Sequence, residues 1–148
     1  HEPDRLDETM PYPVMDKGMH TLRYVILPHA GNWRDARVAR RAWELNEPPT
    51  VHVESGHAGE LAREVGFINV GPEGVIGAAV KCAEEGGAMV VRLYEAHGKE
   101  CVAEIALPYA GRSYRVAIAA HEIKTVKIDP GSGWSIEETD LLETSKPQ

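Results

Sequence analysis

His52, Glu54 and His57 spell H-x-E-x-x-H, two imidazoles and a carboxylate of the kinds that bind zinc. Zinc hydrolases hold such residues on one helix face or on matched strands. Here the run leaves a strand-like stretch for a glycine-containing loop, and no second cluster completes the ligand set, so it reads as surface histidines beside a turn. Gly71, Gly74 and Gly77 recur every third residue. A phosphate cradle needs close glycines between a strand and a helix N-terminus. Pro72 and the β-branched residues after Gly74 make this run a turn instead. Ser55 lacks the G-x-S-x-G elbow of a serine nucleophile. Glu95, Glu104 and Glu122 have the chemistry of a glycosidase acid–base pair, which needs carboxyls about 5 or about 6.5–9.5 Å apart. On alternating strands they read as partners for Arg92 and the lysines. Trp33, Trp43, Trp134, Tyr109 and Tyr114 are the rings available for stacking on a sugar. Of these, Trp43 falls on an apolar helix face and is expected in the core, whereas Trp33 and Trp134 lie at loop edges.

Positioning these residues falls to a chain of strands with one helix. Met19 to Leu27 alternates Leu22, Tyr24 and Ile26 with Thr21, Arg23, Val25 and Leu27, the pattern of an interior strand closed by Pro28. After the His29–Trp33 turn a helix is expected over about 34–46, capped near Asn32 to Asp35. Its apolar rows are Val38, Ala42, Leu45 and Ala36, Ala39, Trp43. Asn46 and the Pro48–Pro49 pair stop it. Further strands are expected at Thr50–Glu54, Val65–Val70, Met89–Glu95, Cys101–Leu107, Ser113–Ala120, Glu122–Ile128 and Trp134–Glu138. His97–Lys99 serves as a hairpin turn, and Asp129–Gly133 is the strongest turn signal. Val75–Ala83 fits helix or strand by pattern. The sum is an all-β fold, a β-sandwich of Greek-key type with about eight strands and one short helix.

The chain has 148 residues, 43% apolar and 26% charged, enough for one domain with a proper core. A net charge of −7 is wrong for a nucleic-acid binder, and no apolar run approaches the roughly 20 residues that cross a bilayer. We therefore expect neither nucleic acid nor membrane as a partner, and a cytoplasmic location. Cys82 and Cys101 form no Cys-x-x-Cys pair, so both read as small apolar residues.

Four motifs carry a resemblance. Asp16, Gly18 and His20 (D-x-G-x-H) lead into the strand to Leu27, then Pro28-His29, Gly31-x-Trp33 and Leu45-Asn46-x-Pro48. Lys81 to Gly86 is followed by Val91-Arg92-Leu93-Tyr94-Glu95-Ala96-His97-Gly98, and Glu122 to Thr125 and Glu138 to Glu143 complete the set. Together they resemble the C-terminal β domain of glycoside hydrolase family 38 α-mannosidases. The resemblance implies a strand at Val75–Ala83 and a full-length enzyme with retaining, zinc-dependent hydrolysis of α-mannosidic bonds. It also places the nucleophile and the zinc ligands in a separate N-terminal barrel domain, followed by a helical bundle. Hence no catalytic residue, metal ligand or cofactor is expected here. The partners would be the catalytic and helical domains of the same polypeptide and, through them, mannose-containing glycans. We expect a piece of a longer polypeptide: residues 1–17 an extended lead-in, 18–143 the sandwich, 144–148 a loose tail. The rigidly held loop with His29, Asn32 and Trp33 is the candidate for reaching a substrate cleft or a domain interface. An independent carbohydrate-binding module is the alternative, and it would need rings in a common exposed plane.

Overall fold

The computed structural model describes residues 18–60 and 62–144; the expectations for 1–17 and 145–148 lie outside them. Among the described residues there are seven strands: β1 (Asn69–Gly71), β2 (Val75–Cys82), β3 (Met89–Glu95), β4 (Cys101–Leu107), β5 (Arg112–Ile118), β6 (Ile123–Asp129) and β7 (Ser135–Thr139). They form two antiparallel sheets, ordered β1-β4-β5 and β2-β3-β6-β7. β3 pairs with β6 while the intervening β4 and β5 pair in the other sheet, a Greek-key arrangement. The family-implied strand at 75–83 is β2.

Alternation builds the core. Val91 and Leu93 of β3 and Val126 and Ile128 of β6 face Ala103, Ile105 and Leu107 of β4 and Ile118 of β5. Each large aliphatic side chain contributes roughly 1.5–3 kcal/mol by leaving water, which makes this layer the main source of stability.

Several expectations need correction. First, Met19–Leu27 and Thr50–Glu54 form no strand and have no sheet partner among the described residues, and Val65–Val70 shrinks to β1. Alternation reports what a segment can pair with, not that the partner lies nearby. Second, His97–Lys99 does not close a hairpin, since β3 and β4 belong to opposite sheets. Third, the helix α1 spans Val38–Asn46 rather than 34–46, because Arg37 sits in the left-handed region at φ 56° and separates it from the turn before. None of α1 is buried, so Trp43 is not in the core. It lines a groove against Ile76–Val80 of β2. Arg40 donates to the Val75 carbonyl at 3.4 Å, and Arg37 and Arg40 both approach Glu73, at 3.4 and 3.1 Å. The helix therefore stands beside the outer edge of β2 across an open groove, and that strand carries a bulge between Gly77 and Ala79. Cys82 is exposed rather than packed, whereas Cys101 packs against the core.

Candidate functional site

Three connections cross between the sheets at one end of the sandwich: 72–74, 96–100 and 119–122. Glu95 holds this end together. Its carboxylate is 1% exposed and accepts backbone N–H bonds from His97 at 2.8 Å, Gly98 at 2.7 Å, Lys99 at 3.0 Å and His121 at 3.0 Å. Burial pushes its pKa up, but these four donors, His121 foremost, outweigh burial and hold it below the ordinary carboxylate range. The chain packs so closely here that glycine is required twice. A Cβ on Gly74 would lie 2.9 Å from the His97 ring, and one on Gly98, at φ +71°, would lie 2.7 Å from Nε2 of His121.

The 29–37 turn is bolted to this end. Asn32 Oδ1 accepts from the N–H groups of Arg34 at 2.8 Å and Asp35 at 3.2 Å, and Asp35 Oδ2 accepts from the Asn32 N–H at 3.1 Å. This reciprocal pairing is what Asn and Asp three residues apart do at a turn. Arg34 Nε then donates to the His97 carbonyl at 3.0 Å. Its guanidinium lies 4.5 Å over the Trp33 ring, and Trp33 meets His97 edge-on at 5.5 Å. Of the three loop residues singled out by sequence, Asn32 and Trp33 are thus part of the anchor. His29 stays exposed, with Nδ1 3.2 Å from the Ala30 carbonyl. Sequence reading missed Arg34, which counts as one arginine among four on a polar face, and His97, which looks like a turn residue. Asn32, Arg34, Asp35, Glu73, His97 and Lys99 line an open polar groove beside Trp33. Such a surface suits hydroxyl groups. Glu95 is held there by backbone N–H groups, and Glu73 by Arg37 and Arg40.

The other candidates are dispersed. Glu104 accepts from Ser113 Oγ at 2.9 Å on the three-stranded sheet, while Glu122 accepts from the Ala119 N–H at 2.7 Å and meets Lys124 at 3.2 Å. Arg92 reaches Thr125 Oγ1 and the Leu141 carbonyl rather than a carboxylate. Burial opposes the charge of Lys124, yet bonds to Glu138 at 3.0 Å and to Glu122 hold its pKa above the ordinary lysine value. Burial, with the Glu95 charge second, pushes the Cys101 thiol up and away from nucleophilic reactivity. His57 Nε2 lies 3.4 Å from Glu54 on exposed chain. Among the described residues no three metal-ligating side chains gather in one place, so zinc has no fitting site there. Phe67, Tyr109 and Trp134 do cluster, with centroids 6.1 Å apart, but their planes tilt by 55° and 68°. They offer no flat platform.

The family model described as the glycosyl hydrolases family 38 C-terminal beta sandwich domain matches residues 74–148, just over half of the chain. The chain belongs to that family. Among its relatives, Alpha-mannosidase 2C1 of Homo sapiens is 33% identical over 103 residues, covering 66% of this chain and 10% of that protein. Alpha-mannosidase G of Dictyostelium discoideum is 32% identical over 94 residues, covering 60% of this chain and 8% of that protein. Alpha-mannosidase 2C1 of Mus musculus is 31% identical over 103 residues, with coverage of 66% and 10%. This family 38 domain thus spans about a tenth of the length of the curated relatives it matches. No solved structure matches it.

Proposed function

We propose that this chain is a non-catalytic C-terminal β-sandwich domain of an α-mannosidase. It braces the catalytic domain and lends the His29–Trp33 loop to the rim of the substrate cleft. The observation that carries the reading is the anchor of that loop: Arg34 on the His97 carbonyl and Trp33 on the His97 ring fix an exposed aromatic beside a polar groove. A loop held this way keeps its geometry without a ligand, which is what positioning a sugar demands. The names of the relatives supply the substrate class, α-mannosides. Retaining chemistry and zinc belong in this reading to the catalytic domain, because the described residues here hold no set of ligands for the metal. The tilted aromatic planes weigh against an independent carbohydrate-binding module.

The test is kinetic. In the full-length polypeptide, Trp33→Ala should lower kcat/KM for an aryl α-mannoside about tenfold by loosening the substrate's placement. The same result is expected for His29→Ala if the loop tip touches sugar. Unchanged kinetics and unchanged thermal stability for both variants would remove the role.

A further inference from the structure

We infer that residues 19–27 are a β-strand donated to the exposed edge of a sheet outside this sandwich, elsewhere in the same full-length polypeptide. The segment is rich in β-formers, alternates, and is bounded by Gly18 and Pro28. Yet among the described residues it hydrogen-bonds to no strand, and Leu22, Tyr24 and Ile26 are 72%, 83% and 90% exposed. A contiguous apolar row of this kind on a soluble surface marks an interface. Val51 and Val53, on the far side of α1 in the chain, repeat the pattern at 79% and 89% exposure.

Within the domain α1 stands beside β2, with Arg40, Trp43, Glu44 and Glu47 lining an open groove opposite Ile76–Val80. The Arg34–His97 bond fixes where the chain leaves Pro28, so the segment emerges on the other flank of α1. There Val25 and Leu27 share an apolar groove with Val38, Ala42 and Leu45. The helix row expected to face the core instead supports the last residues of the strand. A segment with no backbone hydrogen bond to the described residues and apolar side chains on both faces fits the unpaired edge of a sheet, where main-chain bonds supply affinity and alternate side chains fill pockets. The occupant we commit to is in the same polypeptide. The relatives are roughly ten times as long as the matched region, and a net charge of −7 opposes a second copy of this chain.

The inference rests on the domain working inside a longer α-mannosidase, but it does not require the His29–Trp33 loop to touch sugar. Hydrogen–deuterium exchange on the full-length polypeptide tests it. The amides of 22–27 should exchange at least about 100-fold slower than their intrinsic rates, as ladder amides do. Tyr24→Pro, which removes one donor and bars the strand, should abolish that protection while 89–107 stays protected. Exchange at the intrinsic rate in the full-length protein overturns the inference, and so does protection that vanishes on dilution, which would mean a second copy. Protection at 22–27 alongside unaltered kinetics for Trp33→Ala would keep the donated strand and discard only the cleft role.

Discussion

The carboxylate of Glu95 accepts the backbone N–H of His121 at 3.0 Å, joining the end of β3 to the turn that enters β6. The same carboxylate holds the N–H groups of His97, Gly98 and Lys99, so one side chain fastens two connections that cross between the sheets. Buried charged acceptors of this kind are expensive to disturb, because the donors left behind stay dry and unpaired. Glu95→Gln keeps the shape but turns an amide NH2, a donor, towards N–H groups. It should destabilise the domain by about 2–4 kcal/mol in urea unfolding with an unchanged m-value. A loss under about 0.5 kcal/mol, the usual surface-substitution range, would show that the staple is dispensable.

The same geometry sets a pH dependence. The folded Glu95 carboxyl titrates below the ordinary range, so its contribution is complete above that range. As pH falls, the unfolded chain takes up the proton first, and stability declines until the folded carboxyl is protonated too. Asp129, lowered by the Ser132 hydroxyl, and Glu143, lowered by Lys81, act in the same direction. Unfolding free energy should therefore drop below about pH 4, near the ordinary glutamate value. Glu95→Gln should show a shallower acid slope, and an identical slope would assign the loss to other groups.

Gly98 and His121 form a second contact in this knot. A methyl group at Gly98 meets both a positive φ and the His121 ring, so Gly98→Ala should cost about 1–2 kcal/mol. His121→Gly removes the ring and relieves its own φ of 58°. In that background Gly98→Ala should cost less, by a coupling of at least about 0.5 kcal/mol in a double-mutant cycle. Strict additivity would place the strain in the backbone of Gly98 alone.

Alternation read β3, β4 and β6 nearly to the residue, because each lays one apolar row against the opposite sheet: Val91 and Leu93, Ala103 and Ile105, Val126 and Ile128. The turn at Asp129–Gly133 was legible for a local reason. The Asp129 carboxylate accepts from the Gly131 N–H at 2.8 Å and from the Ser132 hydroxyl at 2.6 Å. What stayed hidden was non-local. His97-Gly98-Lys99 reads as a hairpin, and only the capture of its N–H groups by Glu95 turns it into an arch between sheets. The loop trio His29, Asn32 and Trp33 stood out by composition, but its anchor, Arg34 on a carbonyl 63 residues away, carries no local signal. Nor does the left-handed Arg37, which cuts the expected helix short.

At the opposite end, Lys81 bonds Glu143 at 2.7 Å and Glu84, and the Glu84 N–H donates to Glu143 at 2.8 Å. The two side-chain bonds, Glu143's first, raise the Lys81 pKa. This pins residues 140–144 to the β2–β3 turn. Glu143→Ala should leave cooperative unfolding intact but speed proteolytic clipping after Thr139. The difference from the parent chain should narrow in 1 M salt, where the screening length is about 3 Å. Salt-independent clipping would mean that the backbone bonds of Asp140 hold the tail without the ion pair.

Burial separates residues that the sequence treats alike. Leu93 and Ile26 both sit mid-pattern in alternating apolar stretches, yet Leu93 is 0% and Ile26 90% exposed. Leu93→Ala removes contacts from both sheets and should cost about 2–5 kcal/mol, since the packed layer around it can collapse only in part. Ile26→Ser removes nothing from this sandwich and should fall within about 0.5 kcal/mol of the parent chain. In the full-length polypeptide the second result should change, because a donated strand carries Ile26 into a neighbouring sheet and the serine then leaves an apolar pocket unfilled. Thermal unfolding of both variants in both chains decides it. An Ile26→Ser cost already present in the 148-residue chain would mean that the segment packs on its own domain in solution.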